Sequence, residues 1–420
     1  HVIEVSRSAG PSWHGAQAWM SAATSIDQIC LGLLARLLAG VPVRFVLWNG
    51  RWTLAARDTP PLADIRIADR PTLLRLVWDP DLWFGEAYCA GRIEIDGDLV
   101  GLLTAIARRF NSGTAIRTRV PRHRGGAVAA RAARNARFHY DVGNDFFSRW
   151  LDARLVYTCA YFPNPEWSLD EAQDAKLEYV ARKLALAPGE RVFEAGCGWG
   201  ALALHLAKHH GVRVTAWNVS REQLDWARIR ARDAGVSDRV TFIEGDYRTM
   251  SGCCDAFVSV GMLEHVGVPQ YASLRAILDR CVHPDCGRGL LHFIGRNTPT
   301  PMSRWMTRRI FPGSYIPSLS EVLEGVLESP AFSVTDVENL RLHYALTLEH
   351  WLRRYEHAFD DVVRQQGTFA ARMWRMYLAQ AQAGFRAGSL QLFQVSFARP
   401  AATACSWTRS RLYERPEVPA

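Results

Sequence analysis

The sequence predicts an α/β protein: a doubly wound, mainly parallel sheet, with a smaller α+β domain at the N-terminus. Three observations carry this. From about residue 170, short apolar runs alternate with helical segments, the order that yields parallel pairing and right-handed crossovers. One stretch, RVFEAGCGWGALALHLA (191–207), reads as strand, glycine turn and helix. Upstream, strand-like runs (VRFVLW, WTLAA, IRIA) alternate with turns before the helical pattern DLVGLLTAIARRF. A chain of 420 residues exceeds what one hydrophobic core serves, about 250 to 300 residues. The expected division is 1–115, a linker at 116–137, a main domain at 138–400 and a tail at 401–420.

Each element has its own signal. SLDEAQDAKLEYVARKLAL (168–186) places Leu169, Ala172, Leu177, Val180 and Leu184 at helical spacing, and Ser168 with Glu171 forms a capping box. Strands follow in RVFEAG, VRVTAWN, RVTFIEGD, CDAFVSVGM and GLLHFIG; helices at about 346–365 and 368–384 precede a final strand in LQLFQVSFARP. WFGEAYCAGRIEI, with aromatics beside a glycine and a strand, reads as tight packing. The Gly-, Pro- and Arg-rich stretch 111–137 reads as a linker.

Composition narrows the function. The nine cysteines form no CxxC pair, which disfavours a disulfide scaffold and a zinc site and suits a reduced, cytoplasmic setting. Cys281, His283 and Cys286 lack a second ligand pair, so no metal is expected. No apolar run is long enough for a transmembrane helix, and no signal peptide is evident. The formal charge is +8, and Arg108, Arg109, Arg117, Arg119, Arg122, Arg124, Arg131, Arg134 and Arg137 fall in a span with no Asp or Glu. Such a block suits an anionic membrane face or a nucleic acid, or is simply a solvated linker; signatures of base-modifying enzymes are missing, so no nucleic-acid partner is expected.

The glycine turn suggests a cofactor. Gly196, Gly198 and Gly200 allow a sharp turn after the strand and close approach of a ligand. Glu194 ends that strand and no GK[ST] follows, which is the methyltransferase form of a nucleotide site, with Glu194 available to an ammonium group. The next strand ends in Asn218 and Gln223, where dinucleotide folds offer a carboxylate to a ribose, and the third ends in Asp246, suited to an adenine amino group. This favours S-adenosylmethionine over NAD and a Rossmann-like class I methyltransferase fold.

Glu264, His292 and Tyr344 sit where later strand ends and a helix meet substrate, with His265 a bystander beside Glu264. Together with HYDVGNDFF (139–147), VYTCAYF (156–162), EAGCGWG, GMLEHVG, LLHFIG, FPGSYIPSL and LHYALTLEHW, the chain resembles the cyclopropane fatty acid synthase family, including the mycolic acid cyclopropane synthases. The resemblance runs from about 138 to 400; residues 1–115 resemble the N-terminal domain of the longer bacterial members. It implies methyl transfer from S-adenosylmethionine to a cis double bond of a phospholipid acyl chain, followed by proton loss as the ring closes. It also implies a bicarbonate bound by Cys159, Glu264, His292, the Ile294 backbone and Tyr344. Cofactor contacts are implied at Tyr157, Thr158, Gly196, Gly198, Val219, Gln223, Asp246, Tyr247 and Gly261. Cys159 would then be a weak donor rather than a nucleophile. Tyr157, Tyr161 and Tyr344 offer aromatic faces to positive charge. Ala381 stands where several members carry a second cysteine. Related members make methylene or methyl branches, or methylate amines, so these products stay open. The expected partners are unsaturated phospholipids at the inner membrane face, with peripheral association, and a homodimer is left open.

Overall fold

Two sheets organise the chain in the computed structural model, which describes residues 25–111, 143–403 and 407–413. The Arg-rich linker 116–137 lies outside the described residues. Near the N-terminus, β1 (Val43–Leu47), β2 (Trp52–Leu54), β3 (Ala63–Ile67) and β4 (Ile93–Gly97) form a sheet in the order β2-β1-β3-β4, parallel only between β1 and β3. Helices α1 (Ser25–Leu37), α2 (Arg70–Trp78), α3 (Pro80–Cys89) and α4 (Leu99–Asn111) accompany it. Burial along β1 alternates, as a strand with one face on a core requires. Asp69 and Asp79 cap α2 and α3, each with proline in the first turn. WFGEAYC, expected beside a strand, is thus the body of α3. Its Gly85 faces the buried Trp305, and a Cβ there would stand 2.5 Å from the indole ring. The glycine permits a close approach of the two domains.

The larger sheet contains β5 (Arg191–Ala195), β6 (Arg213–Asn218), β7 (Val240–Glu244), β8 (Ala256–Val260), β9 (Arg288–Gly295), β10 (Ser333–Asn339) and β11 (Gln391–Ala398). Their order is β10-β11-β9-β8-β5-β6-β7. The five strands from β9 to β7 are parallel, and β11 and β10 close the other edge antiparallel. This is the doubly wound, mainly parallel sheet the sequence predicts. Helices α5 (Asn144–Ser148), α6 (Leu169–Leu184), α7 (Ala201–His209), α8 (Arg221–Asp233), α9 (Leu263–Val266) and α10 (Tyr271–Cys281) follow. After them come α11 (Arg304–Arg309), α12 (Leu319–Val322), α13 (Arg341–Gln366), α14 (Thr368–Ala387) and α15 (Ser410–Tyr413). The capping box at Ser168 and Glu171 is formed. Strand order reverses between β5 and β8, which opens a crevice beyond their carboxyl ends.

The two domains share a core. Leu82, Tyr88 and Leu103 pack in one cluster with Trp305, Trp351, Trp374 and Phe385, and α14 lies against α3 and α4. Charged pairs rim this contact: Arg309 with Glu86 at 2.6 Å, Arg372 with Glu94 at 3.1 Å, and Arg304 with Asp79. No helix among the described residues is long and apolar enough to cross a membrane.

Candidate functional site

Beyond the carboxyl ends of β5 to β8 lies a cavity of about 820 Å³. Tyr157, Thr158, Glu194, Gly196, Gly198, Asn218, Val219, Gln223, Asp246, Tyr247, Gly261, Glu264, Ile294 and Tyr344 all line it. Fourteen of the sixteen residues expected from sequence therefore share one wall. Cys159 and His292 do not reach it: both are buried and absent from the lining.

The glycine turn is pinned to β6 by the N–H groups of Gly196 and Cys197, which donate to the Trp217 carbonyl at 2.9 and 3.2 Å. Gly200, at φ 81°, starts α7; a Cβ there would meet Ala227 and Phe242, each at 2.9 Å. Asn218 braces the turn, its Nδ2 donating to the Gly198 carbonyl at 3.2 Å and to Gln223 Oε1 at 2.7 Å. With the Asn218 amide engaged in the turn, Gln223 Nε2 is left as the buried donor without a partner. Asp246, expected to face an adenine amino group, lines the cavity and is paired with Arg248 through both oxygens, at 2.6 and 2.5 Å.

Glu194 is buried with Oε2 unpartnered. Burial pushes its carboxyl up to about 8, opposed by Lys176 and the Ala203 N–H. Lys176, on α6, lines the same cavity; burial pulls its ammonium down to about 8, opposed by Asp152, Cys159 and Glu194. Its Nζ donates to Thr158 Oγ1 at 2.9 Å, while Gln173 Nε2 donates to the carbonyls of Val156 and Thr158 at 3.3 and 2.9 Å. One helix thus clamps VYTCAYF from behind. The residue just before it, Leu155, is held at φ 56°, a conformation costly for a bulky side chain. Asp152 secures it by accepting the N–H groups of Arg154 and Val156 at 2.9 and 2.8 Å. Neither Gln173 nor Lys176 was singled out from sequence; a lysine within an amphipathic helix gives no sign that it is buried.

At the other end, Glu264 Oε1 accepts the Ile294 N–H at 2.7 Å, and Oε2 is buried without a partner. Burial pushes this carboxyl up to about 7, opposed by backbone N–H groups. The Ile294 N–H, expected for an anion, is therefore already engaged by Glu264. His292 sits behind the wall with Nδ1 3.0 Å from Gln394 Nε2. With Gln394 donating, the proton lies on His292 Nε2, which is buried and unpartnered. Burial keeps this imidazole neutral. The Cys159 thiol donates to the Ala160 carbonyl at 3.1 Å, and burial pushes it far above its ordinary value. It is a protonated thiol, unfit as a nucleophile, and in this arrangement it faces the backbone rather than the cavity.

Two neighbours differ from expectation. His265, expected to point away, lines the cavity near Ser314 and is kept neutral, pulled down to about 4 by burial. Tyr161 stacks on Tyr179 with centroids 4.2 Å apart and is not in the lining; of the three expected aromatic faces, Tyr157 and Tyr344 remain.

The cavity continues into the N-terminal domain. Leu103, Ile106, Ala107 and Phe110 present one stripe of α4, and Tyr377, Gln380, Ala381 and Gly384 present a stripe of α14. Leu34 and Leu37 of α1, with Leu38 just after it, extend the apolar wall. Leu37 and Phe110 are also 38% and 55% exposed, so the cavity reaches the surface there.

Comparison with known proteins follows the same outline. A family model described as mycolic acid cyclopropane synthetase matches residues 128–395, and one described as a domain of unknown function matches 33–115. The cyclopropane-fatty-acyl-phospholipid synthase of Escherichia coli (strain K12) is 33% identical over 350 residues, covering 80% of this chain and 88% of that one. A probable fatty acid methyltransferase of Pseudomonas putida is 31% identical over 385 residues, covering 89% and 96%. The solved structure of mycolic acid cyclopropane synthase CmaA1 complexed with SAH and CTAB superposes with a TM-score of 0.61 at 28% identity, over 64% of this chain and 98% of that one.

Proposed function

Because the chain belongs to the mycolic acid cyclopropane synthetase family and is an S-adenosylmethionine-dependent methyltransferase, we propose that it cyclopropanates unsaturated acyl chains of phospholipids. The observation that carries this reading is the shape of the cavity. A polar end at the glycine turn continues into a long apolar chamber, as a nucleotide-like cofactor and a hydrocarbon chain require.

The residues fit both small groups the reaction needs. The unpartnered Glu194 Oε2 and Gln223 Nε2, beside a turn of glycines at positive φ, suit the polar ends of S-adenosylmethionine. When bound, the cofactor supplies an electrophilic methyl group. Glu264 Oε2 and His292 Nε2 are a buried acceptor and a buried donor with no partner, the groups a bicarbonate would use; His292 would have to come forward from behind the cavity wall, and Cys159 and the Ile294 N–H to leave their present partners, to join Glu264. Bicarbonate held there would supply a base.

The chain's own residues do the rest. The stripes of α4 and α14 hold an acyl chain in register with the cofactor end, which is worth much of the barrier for so weak a nucleophile as an alkene. Apolar walls exclude water from the substrate cation. The faces of Tyr157 and Tyr344 steady positive charge by about 1 to 2 kcal/mol. Tyr157 is fixed for this by a 2.8 Å hydrogen bond to Tyr377. The test is mass spectrometry of monounsaturated phospholipid vesicles after incubation with enzyme and cofactor. A gain of one CH₂ is expected, and its absence refutes the proposal. A second reading is C-methylation without ring closure, since the Pseudomonas putida relative is named only as a probable fatty acid methyltransferase; NMR of the product separates cyclopropane protons from a branch.

Peripheral docking on anionic membrane is part of the proposal. At the ends of α1 and α4, exposed Arg36, Arg108 and Arg109 adjoin the exposed Leu37 and Phe110. Sedimentation with anionic vesicles should weaken as salt rises; indifference to salt and lipid charge removes this part.

A further inference from the structure

Among the described residues, one cluster of three side chains brings metal-capable atoms together, and it lies away from the cavity. Glu178 projects from α6; His205 lies on α7 and His210 is the residue that ends it. Glu178 Oε2 stands 3.2 Å from His205 Nε2 and 3.0 Å from His210 Nε2, and all three atoms lie within 4.8 Å of one another. Two imidazoles from one helix terminus thus converge on a single carboxylate oxygen of the next helix.

We propose that Glu178, His205 and His210 form a binding site for a transition-metal ion of the zinc class, which ties α6 to α7. Around zinc, ligand atoms lie at about 2.0 to 2.2 Å, and so stand about 3.3 Å apart at tetrahedral corners. The observed separations on Glu178 come within a few tenths of an ångström of that spacing. Two imidazoles with one carboxylate select Zn²⁺, Co²⁺ or Ni²⁺ over Mg²⁺ or Ca²⁺, which prefer all-oxygen sites. The carboxylate is oriented from outside the cluster: Arg182 Nε donates to Glu178 Oε1 at 2.9 Å, leaving Oε2 for the ion. His205 is buried while Glu178 and His210 are partly exposed, so an ion can enter from solvent, and a water completes four-coordination.

The position gives the site a structural task. On α6 it lies less than one turn beyond Lys176 and just over one turn beyond Gln173, the residues that clamp Val156 and Thr158. On α7 it sits at the opposite end from the glycine turn. A bound ion fixes the register of two helices that together frame the cofactor end.

The test uses the full chain, freed of metal with a chelator and titrated with Zn²⁺ and Co²⁺. Wild type should take up one ion, show the visible absorption of four-coordinate Co²⁺, and unfold a few degrees higher with Zn²⁺. His205→Asn with His210→Asn should weaken uptake at least about tenfold and remove the thermal shift, with S-adenosylhomocysteine binding unchanged. Glu178→Gln, which keeps shape and removes charge, gives the same readout if the double variant folds poorly. No uptake by wild type, or equal uptake by these variants, overturns the proposal. Equal uptake would place the ion elsewhere, for example on the exposed His283 and Cys286 pair.

Discussion

Replacing Glu264 by glutamine should make the protein more stable at alkaline pH while abolishing turnover. The carboxyl is buried, keeps one hydrogen bond from Ile294, and has its titration raised from 4.5 to about 7. A raised carboxyl is protonated in both folded and unfolded states at low pH, so nothing is lost there. As pH climbs from about 4.5 to about 7, the unfolded state releases the proton first and the folded state loses ground. The loss is about 3 kcal/mol at about 1.4 kcal/mol per pH unit. Glutamine has no proton to lose, and its carbonyl still accepts the Ile294 N–H. Urea midpoints of wild type and Glu264→Gln, measured from pH 4.5 to 8.5, should therefore diverge by about 3 kcal/mol and then run parallel above 7. Glu194, also raised by burial, contributes equally to both proteins and cancels. A difference that does not change with pH refutes the reasoning. Calorimetry with S-adenosylhomocysteine should meanwhile give unchanged binding; its loss would move Glu264 to the cofactor end.

Lys176→Met removes the donor to Thr158 and the cation beside Glu194, so S-adenosylhomocysteine affinity should fall about tenfold, a loss of about 1.4 kcal/mol; unaltered affinity in calorimetry contradicts the clamp. Gly85→Ala drives a methyl into the Trp305 ring and should cost about 2 kcal/mol, read as a lower unfolding temperature, and an unshifted melt would show that the domains separate easily. Ala107→Trp fills the apolar chamber on the α4 side and should stop turnover on phospholipid vesicles while leaving cofactor binding within about twofold; wild-type turnover would show that the acyl chain does not pass α4.

The parallel core of the larger sheet was legible because each strand is a short apolar run and the glycine turn marks where β5 ends. β10 was not, since its sequence, SVTDVEN, is polar and mostly exposed, as an edge strand tolerates. α3 was obscured by Gly85, which signals a turn locally but serves helix packing at a distance. At the site, motif order identified residues that do share a cavity, yet it could not tell wall from backing. Cys159 and His292 lie behind the surface, while Lys176 and His265 lie on it, because burial depth depends on how α6 and α9 seat against the sheet. The continuation of the cavity into the N-terminal domain had no sequence signal at all, since its apolar stripes on α4 and α14 look like ordinary core faces.

The shared cavity has a consequence for how selectivity is distributed. One wall comes from residues near 37 and 103–110, and the other from residues 377–390, more than 260 positions later. Under the proposed function, chain-length preference belongs to the seam between domains rather than to either one, and a graft of a foreign N-terminal domain should retune it without touching the cofactor end. Trimming that domain away would leave the chamber open along its length, like a mould missing one half. Under the proposed chemistry, water would then compete for the cation, so the expected sign of such a truncation is hydroxylated product alongside slower turnover.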